Sequence, residues 1–267
     1  MKLALTLFSA LGIGLGLGLG LGGTVSAQEA KNVKVRWFGH ACFQIETPSG
    51  KKIVFDPHNI PAYGMVKPEA DLVLMSHEHD DHTQTVGIAK FKESKPKVLR
   101  GLKPAPGIGR LDWNAIDEKW EGYRVRTFGT YHDEVDGTKR GKNSMFIVDI
   151  DGLVICHCGD LGHEFTEKQI KQIGPIDVLL VPVGGIYTIN GRTAVDVADS
   201  LKPKQFVLPM HYGIPESSEI QTAEEFLDVM AENKKPVKKM QDKSELVVPI
   251  GGKPDGYSVV LLGWKKE

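Results

Sequence analysis

Cysteine is scarce in this 267-residue chain, with three residues at positions 42, 156 and 158. That odd, small count excludes a disulfide scaffold. Cys156 and Cys158 stand two apart on an expected strand, close to the outer limit of bridging distance and pointing in parallel, which disfavours a bridge between them. A bridge from Cys42 to one of the pair stays open. Charge of one sign is also lacking: 33 Lys and Arg balance 34 Asp and Glu, for a net charge of −1 at pH 7. Such a balance advertises neither nucleic acid nor an anionic membrane as a partner. No repeat period and no Pro/Gly/Ser linker divides the chain, so it reads as a single domain.

A long uncharged run stands at the N-terminus, "LALTLFSALGIGLGLGLGLGGTVSA" from Leu3 to Ala27. It follows the basic Lys2, ends in Val25-Ser26-Ala27 and gives way to the polar Gln28-Glu29. This is the layout of a secretory signal peptide. The alternative is a retained anchor, for which the alternating glycines are poorly suited, each costing about 1 kcal/mol relative to alanine in a helix. No cysteine follows the run, so a lipid anchor is not indicated. The expectation is a signal peptide over 1–27, cut after Ala27, and an exported domain over 28–267, periplasmic or secreted and free of the membrane.

What is present is a change of rhythm along the chain. "VKVRWFG", "CFQIET" and "KIVFDP" alternate β-branched and aromatic residues between turn formers and predict a meander. "ADLVLMS" predicts a buried strand, "TVGIAKFKE" a helix, and "PKVLRGL" another strand before the Gly/Pro-rich loop "KPAPGIG". "YRVRTFGTYH", "NSMFIVDI" and "LVICHCGD" predict further strands, the last two paired across Asp151-Gly152. Beyond them "TEKQIKQIG", "TAVDVADSLKP" and "TAEEFLDVMAENK" read as helices interleaved with the strands "DVLLVPVGG" and "QFVLPMHYG", before closing strands near "SELVVP" and "YSVVLLGW". Hairpins first and alternating elements later predict an α/β or α+β fold of sheet layers covered by helices.

Directly after "LVLMS" the chain crowds His77, Glu78, His79, Asp80, Asp81 and His82 together. Imidazole nitrogen with carboxylate oxygen suits zinc, manganese or iron better than calcium or magnesium. In an extended segment His77 and His79 point to one side, and Asp81 and His82 offer a second, adjacent set. One short loop can therefore serve two ions. The competing reading is a solvated acidic loop, which four ligand-type residues at this spacing disfavour.

The H-x-H-x-D-H pattern after an apolar strand resembles the signature of the metallo-β-lactamase superfamily. "WFGHACFQI" with "IVFDP" is similar to the opening of its L-ascorbate-6-phosphate lactonase-like branch, "CHCGDLG" to the motif supplying a bridging aspartate, and "VLPMHYG" to the late strand supplying a last histidine. The resemblance implies a four-layer αββα sandwich with two divalent ions, zinc foremost and manganese or iron as alternatives. It places His77, His79 and His132 at the first ion, Asp81, His82 and His211 at the second, and Asp160 between them. For His132 a surface histidine in an acidic loop is the competing reading. His40 is either a substrate-contacting or orienting group or a structural histidine, and Asp56 either orients a ligand or ends a strand. Tyr187 and Tyr212 are either polar contacts to substrate or packing residues; His58, His157 and His163 read as structural or peripheral.

Two such ions hold a shared hydroxide, because bound water loses its proton near pH 7. The expected activity is hydrolysis of a small-molecule lactone, ester or phosphodiester, with Asp81 and Asp160 as the catalytic carboxylates. The alternatives are cleavage of a β-lactam and metal binding without turnover. An iron oxidoreductase of the superfamily usually goes with a flavin partner domain, for which the chain has neither room nor motif.

Overall fold

Strict alternation sets the opening strand. In β1 (Asn32–Trp37) the buried residues are Val33, Val35 and Trp37, and the polar side chains between them face outward, as a period of two requires on a half-covered sheet. The computed structural model describes residues 31–64, 66–217 and 219–264; the expected signal peptide over 1–27 lies outside the described residues. β1 pairs antiparallel with β2 (Phe43–Glu46), and β2 with β3 (Lys52–Phe55), completing the expected meander. β4 (Leu72–Met75), which is buried throughout, and β5 (Lys97–Arg100) then add in parallel. The chain between them holds a four-residue α1 (Phe91–Ser94).

A small hairpin, β6 (Leu102–Pro104) with β7 (Leu111–Trp113), carries the Gly/Pro-rich loop at its tip. The second half runs β8 (Asp117–Trp120), β9 (Tyr123–Tyr131), β10 (Lys142–Ile150), β11 (Leu153–His157), α2 (Glu167–Ile173), β12 (Val178–Pro182), α3 (Gly191–Leu201) and β13 (Phe206–Met210). It ends with α4 (Glu224–Glu232), β14 (Val237–Met240), β15 (Glu245–Pro249) and β16 (Ser258–Leu262). Six strands form one sheet in the order β15-β1-β2-β3-β4-β5, and eight form the other, β14-β16-β13-β12-β11-β10-β9-β8.

The large core cluster joins both sheets, with Ile53, Phe55, Leu72 and Leu74 meeting Met145, Ile155 and Leu180 across the sandwich. The intervening residues Val54, Val73 and Met75 join a smaller cluster with Ile88 on the outer face of the six-stranded sheet. On the outer face of the eight-stranded sheet, α3 buries Ala194, Val195, Val197, Ala198 and Leu201 and packs against β12 and α4. The chain is thus a single α/β domain of two central sheets. Its outer layer is well formed by α3 and α4 on one side and thin on the other.

That thin side departs from expectation. "TVGIAKFKE" forms a 3-10 turn over Thr85–Gly87 and the short α1, flanked by Lys90 and Lys95 at left-handed φ of 51° and 47°, instead of one helix. Gly87 lies so close to the His58 carbonyl that a Cβ would come within 1.9 Å of its oxygen. This contact pins the chain where a helix would need free space. The open cysteine question also closes here: Cys42, Cys156 and Cys158 are all free and buried.

Phe226 of α4 is fully buried in the main core. Phe226→Ala should therefore cost roughly 3–5 kcal/mol, read from denaturant melts, while the metal content per folded molecule stays that of the wild type. An unchanged melt would contradict this packing.

Candidate metal centre

The site lies beyond the ends of β1, β4, β9, β11 and β13, where loops gather polar side chains over two rigid sheets. Asp56 organises the histidine loop from below. One carboxylate oxygen accepts from the Ser76 backbone N–H at 2.7 Å and the other from the Ser76 hydroxyl at 2.6 Å. His77 Nδ1 sits 2.8 Å from that hydroxyl, and His82 Nδ1 sits 3.0 Å from the Asp56 carboxylate. Because both Nδ1 atoms are engaged on this side, both Nε2 atoms turn towards the centre. The 3-10 turn over Asp80–His82 doubles the chain back so that one short segment serves two places.

Two groups result. His77, His79 and His132 bring ligand atoms within 4.8 Å of one another, and so do His40, Asp81, His82 and His211. Between them stands Asp160, whose Oδ2 lies 3.1 Å from His132 Nε2, 3.1 Å from His211 Nε2, 3.2 Å from His82 Nε2 and 3.8 Å from His77 Nε2. One oxygen cannot serve four imidazoles by hydrogen bonding. His82 Nε2, His132 Nδ1, Asp160 Oδ1 and His211 Nδ1 are buried without a hydrogen-bond partner, and each such atom costs about 1–3 kcal/mol when left so. His79 and Asp81 face the open side.

Electrostatics follow from burial. Burial pushes His77 well below the usual imidazole range, and with the neighbouring His211 it takes His40 down to about 3. Burial opposes charge on Asp160 as well, but His211 and His82 outweigh it and hold the carboxyl well below its usual value. His82 goes the other way, since Asp160 and Asp56 overcome its desolvation and raise it well above 6.5.

Backbone strain is concentrated here. His40, Asp56 and His211 sit at left-handed φ of 51°, 42° and 50°, each costing on the order of 1–3 kcal/mol. The His40 carbonyl accepts from the His211 backbone N–H at 3.1 Å and from Trp37 Nε1 at 3.0 Å, which ties two of these turns together. A Cβ on Gly162 would fall 2.2 Å from the Asp133 nitrogen, so only glycine lets the Asp160 loop lie against the His132 segment.

Every ligand position expected from the sequence is drawn into this cluster. His132 is buried beside Asp160 and is no surface histidine. His40, placed outside the ligand set by sequence, joins the second group, with Nε2 3.1 Å from Asp81. Tyr212 is not at the opening: it is buried and stacks on Trp37 at 5.1 Å, while Tyr187 is exposed. His157 bonds the Ala41 carbonyl and stacks on Phe55, His58 contacts the Phe38 carbonyl, and His163 accepts from the Tyr131 N–H. Sequence reasoning missed Ser76 and Asn143. Asn143 accepts from the Asp160 N–H and donates to Thr130 and the Cys158 carbonyl, and no spacing in the chain marks it.

Inward-turned imidazoles, carboxylates held ionised and the orphaned His82 Nε2 together fit transition-metal ions, which would be held by His77, His79 and His132 on one side and Asp81, His82 and His211 on the other. A β-lactamase superfamily domain matches residues 34–211. A UPF0173 metal-dependent hydrolase of Thermococcus onnurineus is 34% identical over 196 residues, covering 67% of this chain and 84% of that protein. Its counterpart in Methanocorpusculum labreanum is 33% identical over 187 residues, covering 67% and 83%. A crystal structure from Thermotoga maritima, described as a Zn-dependent hydrolase of the metallo-β-lactamase superfamily, superposes with a TM-score of 0.62 at 32% identity over 87% of this chain and 100% of that one. The chain belongs to the metallo-β-lactamase superfamily, within its UPF0173 group of metal-dependent hydrolases.

The raised His82 pKa carries a measurable consequence. Asp160 and Asp56 raise its folded value well above the 6.5 of an ordinary imidazole, so the metal-free fold favours the protonated ring; that stabilisation is complete below 6.5 and lost as pH rises through the folded value. A cation at Nε2 must displace the proton. Metal loading at pH 7 should release about one proton from this position, read from the dependence of binding heat on buffer ionisation enthalpy. A heat independent of buffer would contradict the assignment.

Proposed function

We propose that this metal-dependent hydrolase is a dinuclear enzyme, loaded with zinc in preference to manganese or iron, that cleaves a small-molecule lactone, ester or phosphodiester. The observation that carries this reading is Asp160 Oδ2, set within 3.1–3.8 Å of imidazoles from both ligand groups. Ions held there would supply Lewis acidity towards a carbonyl or phosphoryl oxygen and a water acidic enough to ionise near neutral pH. The protein's own residues do the rest. Asp56 and Ser76 fix His82 and His77 with Nε2 inward, and Asn143 fixes the backbone that aims Asp160. Asp81 stands half-exposed at the opening with one oxygen against His40, and an oxygen left free by the ion it would help hold could take a proton from an attacking water. The "WFGHACFQI" and "PMHYG" segments support a lactone or other ester ahead of a β-lactam.

Three measurements test this reading. Elemental analysis of protein purified without chelator should find close to two transition-metal ions, with His79→Ala and His211→Ala losing metal and melting temperature together. Asp56→Asn should weaken metal affinity roughly 10- to 100-fold, the range for partners that orient a ligating histidine. In a panel of a lactone, an aryl ester, a bis-aryl phosphodiester and a chromogenic cephalosporin at fixed metal loading, at least one of the first three should turn over and Asp160→Asn should abolish most of kcat. Cephalosporin turnover alone, or full activity in Asp160→Asn, would overturn the proposal.

The leader "LALTLFSALGIGLGLGLGLGGTVSA" supports export to the periplasm or beyond. The exported form should begin at or near Gln28 by intact mass. Retention of Met1 would instead establish an anchored protein.

A further inference from the structure

A cavity of about 380 Å³ opens directly beside the metal centre, lined by His77 and His79 on one wall and by Leu111, Asp136, Arg140 and Lys142 on the other. Its charges are not equivalent. Lys142 lies 2.7 Å from Asp112 and over the Trp113 ring, and Glu78 is bound to Arg100, so each is already neutralised. Arg140 takes part in no ion pair among the described residues. Its guanidinium donates to the Ile186 carbonyl at 2.8 Å and lies 5.5 Å from the Tyr187 ring centroid. Most of its five N–H donors are left for a planar or tetrahedral anion. Asp136 is the carboxylate it would have to share the cavity with, and that side chain is exposed to solvent.

The loop carrying Arg140 is built, not slack. The buried Asp133 carboxylate accepts backbone N–H bonds from Val135, Gly137, Lys139 and Arg140 at 2.7–2.9 Å. The same loop starts at the ligand His132, whose own N–H donates to the Gly141 carbonyl at 3.0 Å. Arg140 is therefore held in one unit with a metal-binding histidine, at a set position relative to the reacting centre.

Around this opening the surface turns apolar. Among the described residues seven large hydrophobic side chains are exposed. Of these Leu111 lines the cavity, Ile108 and Val135 are chain neighbours of its lining residues Gly109 and Asp136, and Ile186 and Tyr187 belong to the segment that Arg140 contacts. Ile186 is a β-branched residue at a left-handed φ of 56°, a strained conformation that persists only where surroundings enforce it. Apolar side chains exposed singly need no explanation, whereas exposed ones on the segments that line the cavity or hold Arg140 offer an apolar surface beside it.

We propose that Arg140 is a substrate-binding residue, and that the substrate is an amphiphilic anion: an apolar body covered by the mouth loops, ending in a carboxylate or phosphate group gripped by Arg140 away from the bond that is cleaved. Which end is cleaved rests on the hydrolase reading above. The anion site itself does not.

The test uses the metal-loaded protein as purified and three non-hydrolysable probes: 4-phenylbutyrate, phenylphosphonate and the neutral 4-phenylbutanamide. By calorimetry one or both charged probes should bind more tightly than the amide, the stronger naming the anion. Arg140→Ala should weaken the charged probes roughly 10- to 100-fold, the worth of hydrogen bonds to a charged group, and leave the amide, the metal content and the melting temperature unchanged. Arg140→Lys should recover part of the loss. Equal weakening of charged and neutral probes, or charged binding unaltered in Arg140→Ala, overturns the inference. In the kinetic arm, the KM of an aryl ester bearing a distal carboxylate should rise in Arg140→Ala with kcat kept, while its methyl-capped analogue is unaffected. Arg140-dependent binding without any turnover would sink the hydrolase reading and keep the anion site; turnover without Arg140 dependence would do the reverse.

Discussion

The site depends on one buried carboxylate. Asp160 Oδ2 holds imidazoles from His77, His82, His132 and His211 around it, in surroundings where an isolated charge would be too costly to keep. The crowding makes sense only with positive charge among the rings. Asp160 and Asp56 raise the His82 pKa and so favour a proton there in the metal-free protein, and cations held by the two ligand groups would supply the charge and also engage the orphaned His82 Nε2. Structure and chemistry therefore have the same origin: the group that makes the cluster expensive is the group that makes it a metal centre.

Holding this arrangement requires rigidity that loops alone lack. The sheets provide it by ending β1, β3, β4, β9, β11 and β13 at one rim, and the turns beyond β1, β3 and β13 are forced into left-handed backbone at His40, Asp56 and His211. Such strain survives because hydrogen bonds over-determine each turn, as when the His40 carbonyl receives both Trp37 and His211. Asp56 shows the economy of the design, since one carboxylate sets the Ser76 backbone and hydroxyl and the His82 ring at once.

The two sides of the opening are built on different principles. On the metal side every polar group is fixed by another polar group in low dielectric, which favours a single geometry. On the substrate side the mouth is formed by loops with exposed apolar side chains around one guanidinium. A superfamily fold accommodates many chemistries through such loops, and the proposed substrate site assigns selectivity to residues that take no part in metal binding.

Much of this was legible in the chain. Period-two burial in β1, the wholly apolar β4 and the amphipathic α3 follow from local patterns that tertiary packing reinforces, and the ligand-rich segment after β4 declares a metal site because its residue types make sense together in no other way. Local pattern misled where a remote contact decided: the segment at Gly87 is helical by periodicity but is held against the His58 carbonyl. His40 belongs with the second ligand group, and Ser76, Asn143 and Arg140 matter, for reasons absent from their own neighbourhoods in sequence. The sequence by itself determined most of the element types, apart from the segment at Gly87 and the short strands β7, β8 and β14, and the chemical identity of the ligands, because side-chain periodicity and donor chemistry are local properties. Only the tertiary structure decided which carboxylate stands among the imidazoles, which residues hold it there, and which of the two cations lining the cavity is left without an ion pair among the described residues, because those are distances between segments up to a hundred residues or more apart, set by how two sheets pack.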